Sequence, residues 1–468
     1  MKKNDFQTYV SPFSNRYGSY EMRHLFSQEY KFQTWRKIWL AIAKAQYSAG
    51  LLSKKEIDDL EHNRDNLDIK RIYELENETK HDVVAALREY AEKTKIGGGK
   101  IHFGATSMDI VDNQESIVVI QAIRLIEEKL IDILEIFAKK INEYADLTCM
   151  GYTHLQAAEP TTLGYRFSFY AQDLLIDLRF LRFTTSVYKA KGLKGAVGNS
   201  ASYKAILEET SESTLEFEDK VMKTLGLSPI LISSQVNTRK FDYLILSLLA
   251  SISSSLAKFA ADVRILQSSG FGELQEPFAS TQVGSSAMPF KKNPITCEKI
   301  CSLARYVSSL PMVALSNASL SYLERTLDDS ANKRIITAEA MLSVDEILEC
   351  TKKVLTGIIV YKDKIAFNLS QYSPFSSSES IIIAAVKKGA NRQKMHEVLR
   401  NISMIAWNDV QKGKKNPFQD LLMEDKVVIR YLDKTEISKL LNVSTHIGDA
   451  SSRSKKLVNE IRKTLHEK

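Results

Sequence analysis

Apolar residues recur at helical spacing along most of the chain. Ile117, Ile120, Ile126, Leu130, Ile133, Leu134, Phe137 and Ile141 mark the buried side of one unusually long helix, predicted from about Met108 to Ala145 with no proline inside it. Similar patterns cover roughly 161–188, 242–267, 295–318 and 329–359, and five long helices predict a bundle. The third of them carries Ala250, Ser251, Ser253, Ser254, Ser255, Ala257, Ala260 and Ala261. Small residues on more than one face suit burial among several helices, with other subunits an open source of those neighbours. Residues 1–105 read as short helices with loops, in which Phe32, Trp35, Ile38, Trp39 and Ile42 form a core stripe and not a cofactor box. After about Val360 a region of shorter helices begins, with a helix start expected in Ser373–Ser380 and a solvated amphipathic helix from Arg453.

Composition narrows the class. The 468 residues are 44% hydrophobic and 26% charged, enough for two or three domains with a substantial core. Only 9 prolines and 19 glycines punctuate them, which suits long helices better than a turn-dense β fold. Cys149, Cys297, Cys301 and Cys350 form no CxxC and have no histidine cluster nearby, so they are expected as reduced core thiols. No apolar run follows the basic residues of MKKNDFQTYV, which argues against a secretory signal and for a cytoplasmic protein. The uncharged stretch Tyr243–Ala257 is short and serine-rich for a membrane span, so no membrane role is expected. The formal charge of +7 comes from dispersed basic residues without nucleic-acid-binding motifs, which favours an anionic small molecule over nucleic acid as partner.

Candidate chemistry lies in the connections. Gly284–Pro294, GSSAMPFKKNP, places Ser285, Lys291 and Asn293 on one glycine- and proline-punctuated loop that ends by starting a helix. Ser285 can serve there as nucleophile or, if acidified, as base, and Lys291 can neutralise a carboxylate; a solvated connector is the plainer alternative. Arg16 and Tyr17 end a polar turn and suit a phosphate or carboxylate. His81 and Asp82 precede an apolar stripe through Val84, Leu87 and Tyr90, where the histidine can cap, pack or bind. Thr106 and Ser107 can cap the long helix and, at its N-terminus, bind an anion. Thr153-His154-Leu155-Gln156 joins two helices, and His154 is a candidate general acid. Gly192–Ser200 lacks a GK[ST] and a preceding strand, so it reads as a turn and not as a nucleotide cofactor site. Gln235, Thr238 and Arg239 can reach substrate or cap the third helix. Arg325, Ser330 and Arg334 can hold a phosphate or start a charged helix, whereas Arg392 and His396 are assigned no chemistry.

The GSSAMPFKKNP loop closely resembles the signature of the fumarase/aspartase superfamily. SPFSNRY, KFQTWRKIWLAIA, KHDVVA, HFGATSMDIVDN, THLQ, TRKFD, SLAR and ERTLDDSAN resemble the adenylosuccinate lyase family within it, from about Ser11 to about Ala450. That resemblance implies an all-α fold of three helical domains, 1–107, 108–360 and 361–468, with a central long-helix bundle at the core of a homotetramer. It implies elimination of fumarate from adenylosuccinate to give AMP, and from the succinyl-carboxamide ribotide SAICAR to give AICAR, without cofactor or catalytic metal. Ser285 would remove the proton, Lys291 would stabilise the charge that forms, and His154 would protonate the leaving nitrogen. Arg16, Tyr17, Arg325, Ser330 and Arg334 would bind phosphate; Thr106, Ser107 and Asn293 would bind carboxylates; His81, Asp82, Thr153 and Gln235 would bind or orient substrate.

Three positions depart from the family pattern. Ala157 follows Gln156 where proline is usual, Lys299 stands for arginine, and Asp449 replaces an arginine. Argininosuccinate lyase shares the loop chemistry, but its substrate has no phosphate and would leave the two arginine constellations without a purpose. A catalytically silent helical protein is opposed by the intact Ser285, Lys291 and His154. About 38 residues separate Thr106 from Ala145, and a helix of that length spans roughly 55 Å at about 1.5 Å per residue. Thr106 and His154 in one site are therefore expected to come from different subunits, and the family resemblance further implies that His154 and Ser285 of one site also come from different subunits.

Overall fold

The five apolar stripes become five long helices. In the computed structural model, which describes residues 8–279, 281–282, 284, 286–288, 290–442 and 446–466, helix α1 spans Gln28–Ser48, α2 Asp82–Lys93 and α3 Ser107–Glu143. After α3 come strands β1 (Thr148–Thr153) and β2 (Gln156–Thr162), then α4 (Leu163–Val187) and α5 (Lys240–Gln267). A two-residue strand β3 (Leu274–Gln275) precedes α6 (Ile295–Ser319) and α7 (Ser330–Gly357), and β4 (Ile359–Val360) pairs antiparallel with β3. Shorter helices follow, ending with α8 (Ala450–His466). The fold is all-α in class, with two small two-stranded sheets among the described residues.

Several expectations need correction. The segment 148–162, read as a connection, is an antiparallel hairpin in which Thr148 faces Thr162 and Thr153 faces Gln156. Its threonines and Tyr152 suit a strand, and Pro160 is tolerated because a two-stranded sheet has only edges. The N-terminal region is not made only of short helices, since α1 has 21 residues. On α2 the buried face is Val83, Ala85, Ala86, Glu89 and Tyr90, not the stripe through Val84 and Leu87. Ser373 lies inside the helix Lys362–Ser376, with Pro374 in its last turn, and the next helix starts at Ser378. The face of α8 carrying Ser454, Leu457, Val458 and Ile461 is buried, so that helix is only half solvated. Helix α5 is long and apolar enough to cross a bilayer, but half of that stretch is buried inside the chain, and one such helix is weak evidence for a span.

Contacts divide the chain into two units. The first comprises Met1–Lys129, Asp177–Ser254 and Ser302–Glu349, and the second Leu130–Ile176, Ser255–Cys301 and Cys350–Lys468. The first unit holds a core of Phe32, Trp35, Ile38, Ile72, Tyr90 and Phe217, among others. A separate core in the second unit is built by Ile381, Met395, Leu399, Phe418, Leu422 and Ile437. All four cysteines are buried and unbridged, and burial pushes the Cys149 thiol up to about 11.

One ion pair sits inside the first core. Arg36 is 1% and Glu89 0% exposed, and they pair with each other while Arg36 Nη1 donates to the carbonyls of Asn63 (2.8 Å) and Arg64 (2.9 Å). Glu89 also accepts the Asp68 N–H at 2.9 Å, so both charges are well satisfied. Glu89→Ala would leave a buried guanidinium without a counter-charge and should lower stability by about 3–5 kcal/mol. Urea unfolding measures this; a loss below about 1 kcal/mol would mean that the pair behaves like an exposed one.

Candidate active site

In the first unit, the N-terminus of α3 is held by Asp109. Its carboxylate accepts the Thr106 N–H at 3.1 Å, while the Asp109 N–H donates to the Thr106 carbonyl at 2.9 Å. The same fully buried carboxylate accepts from Lys191 Nζ, from the N–H groups of Lys194 (3.2 Å) and Gly195 (3.3 Å), and from Tyr203 Oη (3.0 Å). Asp109 therefore fixes Thr106 and Ser107 against the glycine turn that sequence reading treated as a connector. Thr106-x-x-Asp109 is a helix-capping signature that could have revealed it.

One turn further along α3, Asp112 accepts from Arg239 Nη1 at 3.1 Å and from the Asn237 N–H at 2.6 Å. Arg239 Nε reaches Asp329 at 2.6 Å, and Asp329 also accepts from Arg325 Nη1 at 2.8 Å. Burial alone would raise the Asp329 pKa; Arg239 and Arg325 reverse that and hold it below its ordinary value. Arg325 is thus locked by a buried partner. The Gln235 N–H donates to the Glu324 carbonyl at 3.2 Å, which sets Gln235 beside Arg325. Thr238 accepts the Lys240 N–H at 3.3 Å, so Thr238 and Arg239 cap and brace α5.

His81 caps α2, its Nδ1 accepting the Val84 N–H at 3.5 Å. Asp82 Oδ1 accepts the Val83 N–H at 2.8 Å, and Asp82 Oδ2 lies 3.6 Å from Arg334 Nη2 and 3.5 Å from Lys31 Nζ. The structure thereby brings His81, Asp82 and Arg334 together. Ser330, the first residue of α7, donates its N–H to the Leu327 carbonyl at 3.0 Å. Arg16 is exposed, with no ion pair among the described residues, and Tyr17 packs edge-on against Phe13 at 5.7 Å. Their turn is tied to α7 through the Gly18 N–H, which donates to Glu346 Oε2 at 3.0 Å.

The second unit holds Thr153, His154, Lys291 and Asn293. Between Thr153 and Gln156 the two turn residues His154 (φ +53°) and Leu155 (φ +59°) are both left-handed. A two-residue hairpin turn of this kind usually takes Asn-Gly, so a histidine and a leucine there store strain of the sort found at functional sites. Tyr152 behind them donates to Glu273 at 3.0 Å, and fully buried Glu273 also accepts from Arg166 (3.2 Å) and Asn368 (3.0 Å). His154 lines a cavity of about 1020 Å³ with Thr153, Glu159, Arg166, Lys258 and Asp262.

The loop before α6 is clamped at its base. Asn293 Nδ2 donates to the Gly284 carbonyl at 2.9 Å, and a side chain at Gly284 would meet the Lys291 carbonyl at 2.0 Å. Gln267 donates to the Lys292 carbonyl at 2.9 Å and accepts the Glu276 N–H at 2.8 Å, while Glu276 accepts the first N–H groups of α6 from Thr296 (3.0 Å) and Cys297 (2.9 Å). Asn293 thus shapes the loop. Lys291 is exposed and unpaired among the described residues; Ser285 lies outside them. No group of three or more His, Cys, Asp or Glu side chains suited to a metal ion occurs among the described residues.

Comparison with known proteins places the chain in a family. A family model described as Lyase matches residues 10–308, and one described as Adenylosuccinate lyase C-terminus matches residues 374–457. The chain is 37% identical over 463 residues to the adenylosuccinate lyase of Methanocaldococcus jannaschii, covering 98% of this chain and 96% of that protein. It is 35% identical over 462 residues to the adenylosuccinate lyase of Saccharomyces cerevisiae, covering 97% and 95%. The chain belongs to the adenylosuccinate lyase family. As an adenylosuccinate lyase family member within the fumarase/aspartase superfamily, it is a carbon–nitrogen lyase of purine nucleotide biosynthesis. The fold itself is shared with the 3-carboxy-cis,cis-muconate lactonizing enzyme of Pseudomonas putida (TM-score 0.86, 21% identity, 96% of this chain and 99% of that one). A fumarate lyase from Mesorhizobium sp. BNC1 is similar in the same sense (TM-score 0.83, 20% identity, 97% and 99%).

Below the α3 cluster, Asp242 faces Lys333 at 3.8 Å, and its Oδ2 accepts no hydrogen bond. Burial pushes its pKa up to about 6, with Lys333 and Arg239 only partly opposing. Between pH 4 and 6 the folded state therefore keeps a proton that the unfolded state has lost, and stability from this group falls as pH rises. Relative to Asp242→Asn, which cannot titrate, the wild type should lose on the order of 2–3 kcal/mol between pH 4 and pH 7 in urea unfolding. A pH-independent difference would show that Asp242 ionises at its ordinary value.

Proposed function

We propose that the elimination uses Ser285 as base, Lys291 as the charge that stabilises the dianionic aci-carboxylate, and His154 as general acid. Ser285, acidified so that it acts as its alkoxide, takes the proton from the carbon next to a substrate carboxylate and becomes the hydroxyl, and the electron pair left behind is delocalised into that carboxylate beside Lys291. The C–N bond then breaks, its electrons pass to nitrogen, and His154 supplies a proton to the leaving group. Arg16, Tyr17, Arg325, Ser330 and Arg334 bind the phosphate, Thr106, Ser107 and Asn293 the carboxylates, and His81, Asp82, Thr153 and Gln235 orient the substrate. The observation that carries this reading is the locking of Arg325 by buried Asp329: a guanidinium fixed before substrate arrives loses little entropy on binding phosphate.

The same site takes SAICAR as well as adenylosuccinate, since both present a phosphate and two carboxylates. The chain works as a homotetramer in the cytoplasm, with domains 1–107, 108–360 and 361–468; the separate core between Ile381 and Ile437 supports the last of these. The length of α3 supports a site shared between chains: 37 residues make about 55 Å of helix, with Thr106 before its first residue and His154 in the hairpin after its last.

Fumarate release from purified protein tests the reading, with adenylosuccinate as substrate and argininosuccinate as the comparison. Wild type should turn over only the first, and Ser285→Ala should lower kcat at least about a hundredfold while AMP still binds. Release from argininosuccinate at a comparable rate would contradict the phosphate assignment, and undiminished kcat in Ser285→Ala would remove serine as the base.

A further inference from the structure

Asp82 Oδ2 is shared by two cations of different character. Arg334, 3.6 Å away, has a side chain that is 66% exposed, whereas Lys31, at 3.5 Å, is 25% exposed; all three line one cavity of about 370 Å³. The Lys31 ammonium sits 4.5 Å from the ring centre of Trp35 and 5.1 Å from that of Phe32, so aromatic faces hold it in place. Asp82 is the only carboxylate with which it forms an ion pair among the described residues, although Glu76 lines the same cavity. Burial lowers the Lys31 pKa, Asp82 opposes that, and Arg334 adds to it, as two cations facing one carboxylate must.

We infer that Lys31 is a positioning residue: it neutralises Asp82 from the buried side and so leaves the Arg334 guanidinium free for the substrate phosphate. This rests on the reading of Arg334 as a phosphate ligand. A carboxylate without Lys31 would keep Arg334 as its only permanently charged neighbour, with His81 Nδ1 at 3.8 Å, and the guanidinium would close on it as a bidentate pair. Phosphate would then compete with an intramolecular carboxylate. Lys31 touches no substrate group in this scheme and acts through Asp82 alone.

Titration calorimetry of AMP and fumarate against the full protein tests the inference. Lys31→Met should weaken AMP binding about tenfold and fumarate binding less than about twofold, and Lys31→Arg, which keeps the charge, should restore AMP binding. In an Asp82→Asn background the Lys31→Met change should add less than about twofold, because the carboxylate it serves is gone. Lys31→Gln provides a second neutral variant, and unliganded thermal unfolding identifies either variant that fails to fold. AMP affinity unchanged in Lys31→Met, equal loss for AMP and fumarate, or the same loss with Asp82→Asn would each overturn the role of Lys31. Wild-type protein that binds no AMP would instead overturn the phosphate reading on which it rests.

Discussion

Charge that leaves water has to be matched, and the first unit is arranged around that requirement. The first turns of α3 carry Asp109, Asp112 and Glu115 at three-residue spacing, and each meets a cation from a different part of the chain. Lys191 comes from the turn after α4, Arg239 from the start of α5 and Lys333 from the first turn of α7. One acidic stripe therefore sets the register of three other elements. Removing one partner of such a pair leaves an unmatched charge in a low-dielectric interior, which costs more than the pair itself contributes. The residues assigned to substrate hang from these pairs: Thr106 from Asp109, Arg325 from Asp329 and Arg239, and Arg334 from the same turn of α7 as Lys333.

The long helices were legible because their apolar residues repeat with the helical period, and the ends of α5 and α6 fall within a few residues of the expected ones. Charge logic singled out Arg325 and Arg334, and the structure pairs them with Asp329 and Asp82, while His81 proves to be a cap, one of the roles left open for it. The hairpin was not, because β1 and β2 are short, β2 contains Pro160, and pairing depends on a partner strand that apolar spacing does not reveal. The buried ions escaped for a related reason. Periodicity marks apolar positions, so Asp109 and Asp112, like the part-exposed Glu115, look like the wet face of a helix until their cations are found. Lys31 sits inside an aromatic stripe that was correctly read as core, and its ammonium gained meaning only with Asp82 beside it.

On the proposed assignment, each chain supplies two incomplete sets of groups: Arg16, Thr106, Ser107, Arg325, Ser330 and Arg334 belong to the first unit, and Thr153, His154, Lys291 and Asn293 to the second. Helix α3 has 37 residues, about 55 Å of helix, between Thr106 and the hairpin that carries His154. We propose that copies of the chain complete one another's sites, as a symmetric assembly allows.

The most direct test of this sharing is to unfold His154→Ala and Ser285→Ala proteins together, reassemble them and measure fumarate release from adenylosuccinate. Neither variant alone should be active. With equal, random mixing, about a quarter of the sites should combine an intact histidine with an intact serine from different chains and regain wild-type turnover. Assemblies shown by mass spectrometry to be mixed, yet still inactive, would contradict a site shared in this way.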